Sequence, residues 1–343
     1  MEEIKKIKKI KIAVVADAPL LRSNPTFLKK VLKYISDTTE FANKIDWLHA
    51  LEELTIVERL GKIMPTDYID VTAKGEDNLS IQNKYTLKVR ESIEKGECPV
   101  VLDRDMLDLS SLSDEELKKI RFLDVTRTND HKFINRAGSK SLEEQFDQIA
   151  NDSYVLKMNK IVFVDDVLFT GSTIICAKKN LEKKMRELGI KSKEFSSIFA
   201  LSLAEENGRE ILKKEGIESD VISEQSGYAD LVDGRDLGYG FKNSGKASPE
   251  GNRSYFIPFG NPGCASVPMD KWNEFSIVCA AYSKKLWEEI DPSMTASKYV
   301  SQEIGAKPFI PDGFTEDNKF VEILEKAIYD LEAIMKPVEK NKS

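Results

Sequence analysis

Histidine is nearly absent from this chain of 343 residues, with only two, His49 and His131. A histidine-centred hydrolase or histidine-rich metal enzyme is therefore disfavoured from the start. The four cysteines, Cys98, Cys176, Cys264 and Cys279, stand far apart and form no CxxC pair. That spacing argues against a disulfide framework or a zinc site and fits reduced, buried thiols in a cytoplasmic protein. No apolar run approaches the roughly 18–20 residues that a membrane span needs, so no membrane is expected. Met1 to Lys11 carries Glu2 and Glu3 and lacks an apolar signal core, and reads as the lead-in to a first strand. Positive charge is not in excess either. With 51 basic against 58 acidic side chains, the net charge of −7 argues against a general affinity for nucleic acid.

What is present is the patterning of an α/β protein. Ile10 to Ala16 is a short apolar run that fits a buried strand. Helices are expected from Pro25 through Ile35, over Phe41 to Leu60, and over Leu79 to Glu94 with a stop at Gly96. Ser113 with Glu116, and Ser141 with Glu144, have the spacing of capping boxes at two helix starts. Ile120 to Val125 reads as a strand, and the polar, basic stretch Thr126 to Lys140 as a loop. Lys160 to Val164 is a β-branched strand. Ile174, Ala177, Leu181, Met185 and Leu188 then mark one face of a helix ending at Gly189, and Phe195 to Leu203 is a further strand. Strand, loop, helix and strand at these lengths form a βαβ unit of a parallel sheet. Beyond Glu205 the signal weakens. Gly227 to Ser248 reads as loops and Tyr255 to Phe259 as a strand. Helices follow at Phe275 to Ile290 and at Asp317 to Met335, the latter with Phe320, Leu324, Ala327, Leu331 and Ile334 on one stripe, and Lys336 to Ser343 is a tail.

The segment with the clearest chemistry runs from Lys160 to Thr173, KIVFVDDVLFTGST. Apolar β-formers deliver two adjacent carboxylates, Asp165 and Asp166, to the C-terminal edge of a parallel sheet, where ligands of α/β folds bind. A short loop then passes through Gly171 into a helix. Its unpaired N–H groups and the positive end of the helix dipole suit a phosphate. Thr170, Ser172 and Thr173 add hydroxyl donors. The two acids suit the sugar hydroxyls beside that phosphate, or a Mg²⁺ carried by a polyphosphate. The competing reading is a structural turn with a capped helix.

This segment resembles the phosphoribosyl pyrophosphate loop of type I phosphoribosyltransferases: four apolar residues, two acidic, two apolar, then a short Ser/Thr/Gly loop. The resemblance implies a parallel sheet of the phosphoribosyltransferase type with helical N- and C-terminal extensions. It assigns the ribose hydroxyls to Asp165 and Asp166, and the 5-phosphate to Thr170, Gly171, Ser172 and Thr173. Phe169 departs from the family pattern, which usually has a small residue there. A mobile loop over the site is implied at Thr126 to Lys140, with Arg127 as pyrophosphate contact and Lys132 and Arg136 as substrate-binding cations. The family's pyrophosphate loop has two candidate positions, Asp17 to Pro19 and Thr126 to Asn129. Tyr228, Tyr239, Phe241 and Trp272 are candidates for stacking on a base, against a plainer role in packing.

The expected division is a helix-rich section over residues 1–114 that adds a first strand, a core over 115–260, and a helical section over 261–343. The expected function is a Mg²⁺-dependent enzyme binding phosphoribosyl pyrophosphate or a related ribonucleotide, with Asp165, Asp166 and Arg127 nearest the chemistry. The protein supplies no metal cage of its own in this reading. The alternative is a nucleotide-sensing module that acts through a protein partner without catalysis. A protein partner or homo-oligomer is compatible with either. The Phe169 departure and the large extensions resemble the divergent phosphoribosyltransferase-like proteins of bacterial conflict and phage-defence operons.

Overall fold

Five apolar segments pair in parallel to make the central sheet: β3 (Cys98–Val101), β4 (Arg121–Phe122), β7 (Lys160–Leu168), β8 (Glu194–Ser202) and β9 (Ile217–Glu224). Their order is β4-β3-β7-β8-β9. A second sheet joins β1 (Lys11–Ala16), β2 (Thr66–Asp70) and β10 (Tyr228–Val232) in the order β10-β1-β2. The structure is a computed structural model that describes residues 11–16, 66–71, 73–103, 106–127, 132–136, 139–202, 208–225, 228–232, 269–301 and 310–335. The helices expected at Pro25 to Ile35 and Phe41 to Leu60, the strand Tyr255 to Phe259, and the tail Lys336 to Ser343 lie outside those residues. So do His49, His131, Cys264, Tyr239 and Phe241.

The chain divides into two compact units, one of residues 1–18, 64–125 and 140–231, the other of 19–63, 126–139 and 232–343. In the first unit the βαβ reading holds. α1 (Ile81–Glu94) starts at Ser80, whose hydroxyl accepts the Asn83 N–H. α1 lies across β3, β8 and β9. Its Tyr85, Val89 and Ile93 join Val101, Val162, Val164, Ile198 and Ala200 in one buried cluster. Both capping boxes form, at α2 (Asp114–Leu117) and α3 (Leu142–Ala150). α4 (Ser153–Lys157) then leads into β7. α5 (Ser172–Glu187) buries Ile174, Ala177, Leu181 and Met185. Leu188, expected on the same face, falls one residue past the helix and stays largely exposed. α6 (Gly208–Lys214) connects β8 to β9.

Several elements differ from the sequence reading. The strand expected over Ile120 to Val125 is two short ones, β4 and β5 (Val125–Arg127). The expected loop Thr126 to Lys140 contains β6 (Phe133–Asn135), which pairs with β5. In the second unit, α7 (Trp272–Ile290) packs on α9 (Phe320–Met335), with α8 (Ala296–Ser301) between them in sequence. Trp287, Tyr299 and Phe320 are fully buried there, and the Trp287 and Phe320 rings meet edge to face at 4.9 Å. The stripe on α9 is buried from Phe320 to Ala327, but Ile334 at its end is 70% exposed. Among the described residues no helix is long and apolar enough to cross a membrane.

Glu116 closes the α2 capping box and also pairs with Arg90 on α1 at 2.7 Å. The Ser113 amide and hydroxyl, then Arg90, hold its carboxyl down to about 2, from an ordinary 4.5. A depressed folded-state value stabilises the protein above pH 4.5 and loses that contribution as pH falls toward 2. The melting temperature of Glu116→Gln is therefore expected below wild type at neutral pH, with the gap closing between pH 4.5 and 2.

Candidate functional site

The strand β7 has unequal neighbours. Ile161, Val162, Phe163 and Val164 are buried, as a strand flanked on both sides requires. On one side, pairing with β3 ends at Val101 opposite Val164, where the Leu102 N–H donates to the Val164 carbonyl at 2.8 Å. On the other side, β8 stays paired through Asp165 opposite Phe199, Val167 opposite Leu201 and Leu168 opposite Ser202. The strand thus runs to Leu168, beyond the end at Val164 that the sequence suggested, because β8 is long enough to hold it. Asp165 and Asp166 sit past the end of β3, where the strand order reverses. That is the crevice in which open α/β sheets bind ligands.

Both acids are half-buried. Asp165 Oδ1 accepts the Asp166 N–H at 3.2 Å, and Asp166 Oδ1 accepts the Val167 N–H at 2.7 Å. These bonds fix how each carboxylate is turned, and neither goes to the start of α5. The Asp165 carbonyl accepts from the Tyr85 hydroxyl of α1 at 2.8 Å. Tyr85 is completely buried. Burial pushes its phenol far above the ordinary value, and the charges of Asp165, Asp103 and Asp166 add to that. Asp103, 1% exposed just after β3, is thus a third acid near the Tyr85 hydroxyl. Sequence reasoning missed it because the four-residue strand before it, CPVV, gives no period to recognise.

The turn Phe169-Thr170-Gly171 follows β7 directly. Gly171 is left-handed, at φ 70° and ψ 4°, and no side chain caps α5 behind it. Thr170 Oγ1 and Ser172 Oγ lie 2.8 Å apart, so one hydroxyl donates to the other. The Ser172 amide has only a long contact to Thr170 Oγ1, at 3.4 Å. A left-handed residue followed by helical ones turns successive N–H groups toward one point, the geometry of an anion nest. The 16-residue helix α5 adds the positive end of its dipole.

Two close approaches hold this turn in shape. A Cβ on Gly171 would stand 2.7 Å from Leu212 Cγ on α6, and one on Gly208 would stand 2.3 Å from the Phe169 carbonyl oxygen. Phe169 itself packs on the buried cluster together with Val167 and Ile222. The residue that departs from the family pattern is used for packing.

The cations expected to face the acids belong to the other compact unit. Arg127 ends β5, Lys132 is exposed just ahead of β6, and Arg136 follows β6, its carbonyl accepting from the Ser139 amide and hydroxyl. Tyr228 lies in β10, and Trp272 opens α7 half-buried. In the first unit, Arg121 pairs with Asp152 at 2.7 Å and Lys160 with Glu97 at 3.0 Å. Among the described residues, no three His, Cys, Asp or Glu side chains are grouped to hold a metal ion.

Residues 80–246 match the model of the family PRTase-CE, a phosphoribosyltransferase-like domain. No curated protein matches the chain. Among solved structures, the AQ2163 protein from Aquifex aeolicus is similar at 13% identity, over 56% of this chain and 87% of its own, with a TM-score of 0.29. That likeness is too distant to inform the site.

Gly171→Ala meets both a left-handed backbone and the Leu212 side chain. Thermal or urea unfolding is expected to show a loss of about 1–3 kcal/mol. Shortening the obstruction in Gly171→Ala/Leu212→Ala should not restore wild-type stability, because the backbone strain and a new cavity remain.

Proposed function

Since residues 80–246 belong to the phosphoribosyltransferase-like family PRTase-CE, we propose that the crevice at the end of β7 binds the ribose 5-phosphate part of phosphoribosyl pyrophosphate or a related ribonucleotide. One observation carries this reading: two acids stand past the end of β3 and lead within a few residues into an uncapped helix start. Asp165 and Asp166 hold the ribose hydroxyls. The amides and hydroxyls of Thr170, Gly171, Ser172 and Thr173 hold the 5-phosphate.

The same arrangement suits transfer chemistry. Breaking the bond from the anomeric carbon to pyrophosphate leaves positive charge on the ribose ring, and two carboxylates beneath it stabilise that charge. The loop that follows β3, from Leu102, forms the opposite wall of the crevice and lies on the pyrophosphate side. Arg127, Lys132 and Arg136 are the cations proposed for the leaving group. Asp165 and Asp166 have the hard oxygen donors that Mg²⁺ prefers, and among the described residues no third ligand is grouped with them. Mg²⁺ therefore fits as an ion carried on the ligand's pyrophosphate, where it neutralises charge.

Calorimetric titration of the protein with phosphoribosyl pyrophosphate and Mg²⁺ tests this directly. Asp165→Asn/Asp166→Asn is expected to weaken binding by about a hundredfold or more, because each charge-assisted bond contributes roughly 1.5–3 kcal/mol. Its melting temperature should stay within a few degrees of wild type. Normal binding by the double variant would refute the ribose assignment. Binding without release of pyrophosphate in the presence of any base would identify a sensing module and not a transferase.

A further inference from the structure

The helix α1 touches both walls of the crevice through two adjacent residues. Tyr85 donates its hydroxyl to the Asp165 carbonyl at 2.8 Å, on the β7 side. Thr86 Oγ1 accepts the Asp108 N–H at 3.0 Å, on the side of the loop that follows β3. The same Thr86 hydroxyl donates to the Gln82 carbonyl one turn back at 2.9 Å, which fixes its rotamer. Tyr85 is 0% exposed and Thr86 2%. Among the described residues, the β3–β7 pairing ends with the bond from the Leu102 N–H to the Val164 carbonyl. Met106 and Leu107 hold the loop to the same buried cluster that contains Tyr85.

From this, the geometry points to Tyr85 and Thr86 as positioning residues of the site: Tyr85 sets the height of the ribose-binding acids, and Thr86 sets the opposite wall relative to them. This rests on the proposed reading of the crevice. Neither residue touches the ligand. A phenol raised so far by burial stays protonated and serves as a fixed donor, and its bond goes to the Asp165 backbone carbonyl. A Thr86 lacking its hydroxyl would leave the Asp108 amide without that partner, and the loop would relax away from α1. Small displacements matter here, because a ribose held by two carboxylates tolerates little change in their separation.

The test uses the full chain and three variants, Tyr85→Phe, Thr86→Val and Val89→Ala. Val89 is 0% exposed on the same helix and belongs to the same cluster, so its truncation reports what loss of packing alone does. Titrations with ribose 5-phosphate, inorganic phosphate and Mg²⁺-phosphoribosyl pyrophosphate are compared well below each melting temperature. Tyr85→Phe is expected to weaken ribose 5-phosphate roughly five- to tenfold while inorganic phosphate binding is unchanged. Thr86→Val is expected to weaken phosphoribosyl pyrophosphate more than ribose 5-phosphate. Val89→Ala should lower the melting temperature and change none of the three affinities. The inference is overturned if Tyr85→Phe and Thr86→Val bind like wild type, if they weaken all three ligands equally, or if Val89→Ala does the same as they do. Should Tyr85→Phe fail to fold, the Thr86→Val pattern decides. Wild-type protein that binds none of the ligands would instead remove the reading of the crevice, while wild-type binding with unaffected Tyr85 and Thr86 variants would remove only the positioning role.

Discussion

The unequal reach of two neighbouring strands is the constraint from which the site follows. β8 keeps β7 in the sheet to Leu168, whereas β3 lets go at Val164. A strand released on both sides there would fray into a mobile loop, and its acids would lose their orientation. A strand held on both sides would bury them, at a cost of several kcal/mol per charge. One-sided pairing avoids both outcomes: the backbone is fixed, and the carboxylates stand half-buried beside an open edge. The Asp166 amide donates to Asp165 Oδ1 and the Val167 amide to Asp166 Oδ1, so the acids also hold the backbone beside them. The exposure of the acids is thus a result of the mismatch in strand length.

Support for the turn after the strand comes from below. Gly208 of α6 lies so near the Phe169 carbonyl that no side chain fits between them, and Leu212 fills the space under Gly171. Interiors are packed closely enough that such contacts transmit position. Gly171 takes its left-handed conformation without strain, and the turn can hold an uncapped helix start, which costs stability, because packing from α6 and from the Phe169 ring over-determines its shape. Phe169, out of place by comparison with small-residue loops, makes sense in this light. Its ring, with Val167 and Ile222, extends the buried cluster up to the rim of the crevice.

Legibility in the sequence followed the length of each pattern. Both capping boxes, at Ser113 and Ser141, form as their spacing indicated, since the signal is local and chemical. The apolar stripe of α5 was readable because four turns of helix repeat the period, and the error at Leu188 came where the helix had already ended. The strand–turn–helix form of Lys160 to Thr173 was likewise visible, although the strand is longer than its apolar part: polar Asp165 and Asp166 are held in the sheet by β8, a tertiary effect. Short elements went unseen. β3 has four residues and includes Pro99, a residue that usually speaks against a central strand. It is tolerated because pairing with β4 begins only at Val100. β9, with Glu218, Asp220 and Glu224 spread along it, reads as polar because it forms the edge of the sheet. Without β3, neither the opposite wall nor Asp103 could be singled out.

Charge is the remaining question that the proposed reading has to answer, since an acidic crevice in a protein of net charge −7 should repel an anionic ligand. The arrangement separates the two kinds of negative charge along the chain. In that reading the phosphate would meet amides, hydroxyls and a helix N-terminus, where partial positive charge is fixed and needs no counterion. The acids lie several residues earlier and would meet neutral ribose hydroxyls, which donate to them. Asp103 adds a third acid near the Tyr85 hydroxyl, so in the proposed reading a magnesium-bound pyrophosphate would be better tolerated there than a bare one. If the crevice holds the proposed ligand, its acids would disfavour free polyanions, favour a ligand that arrives with its own divalent cation, and become an asset once positive charge developed on the ribose ring.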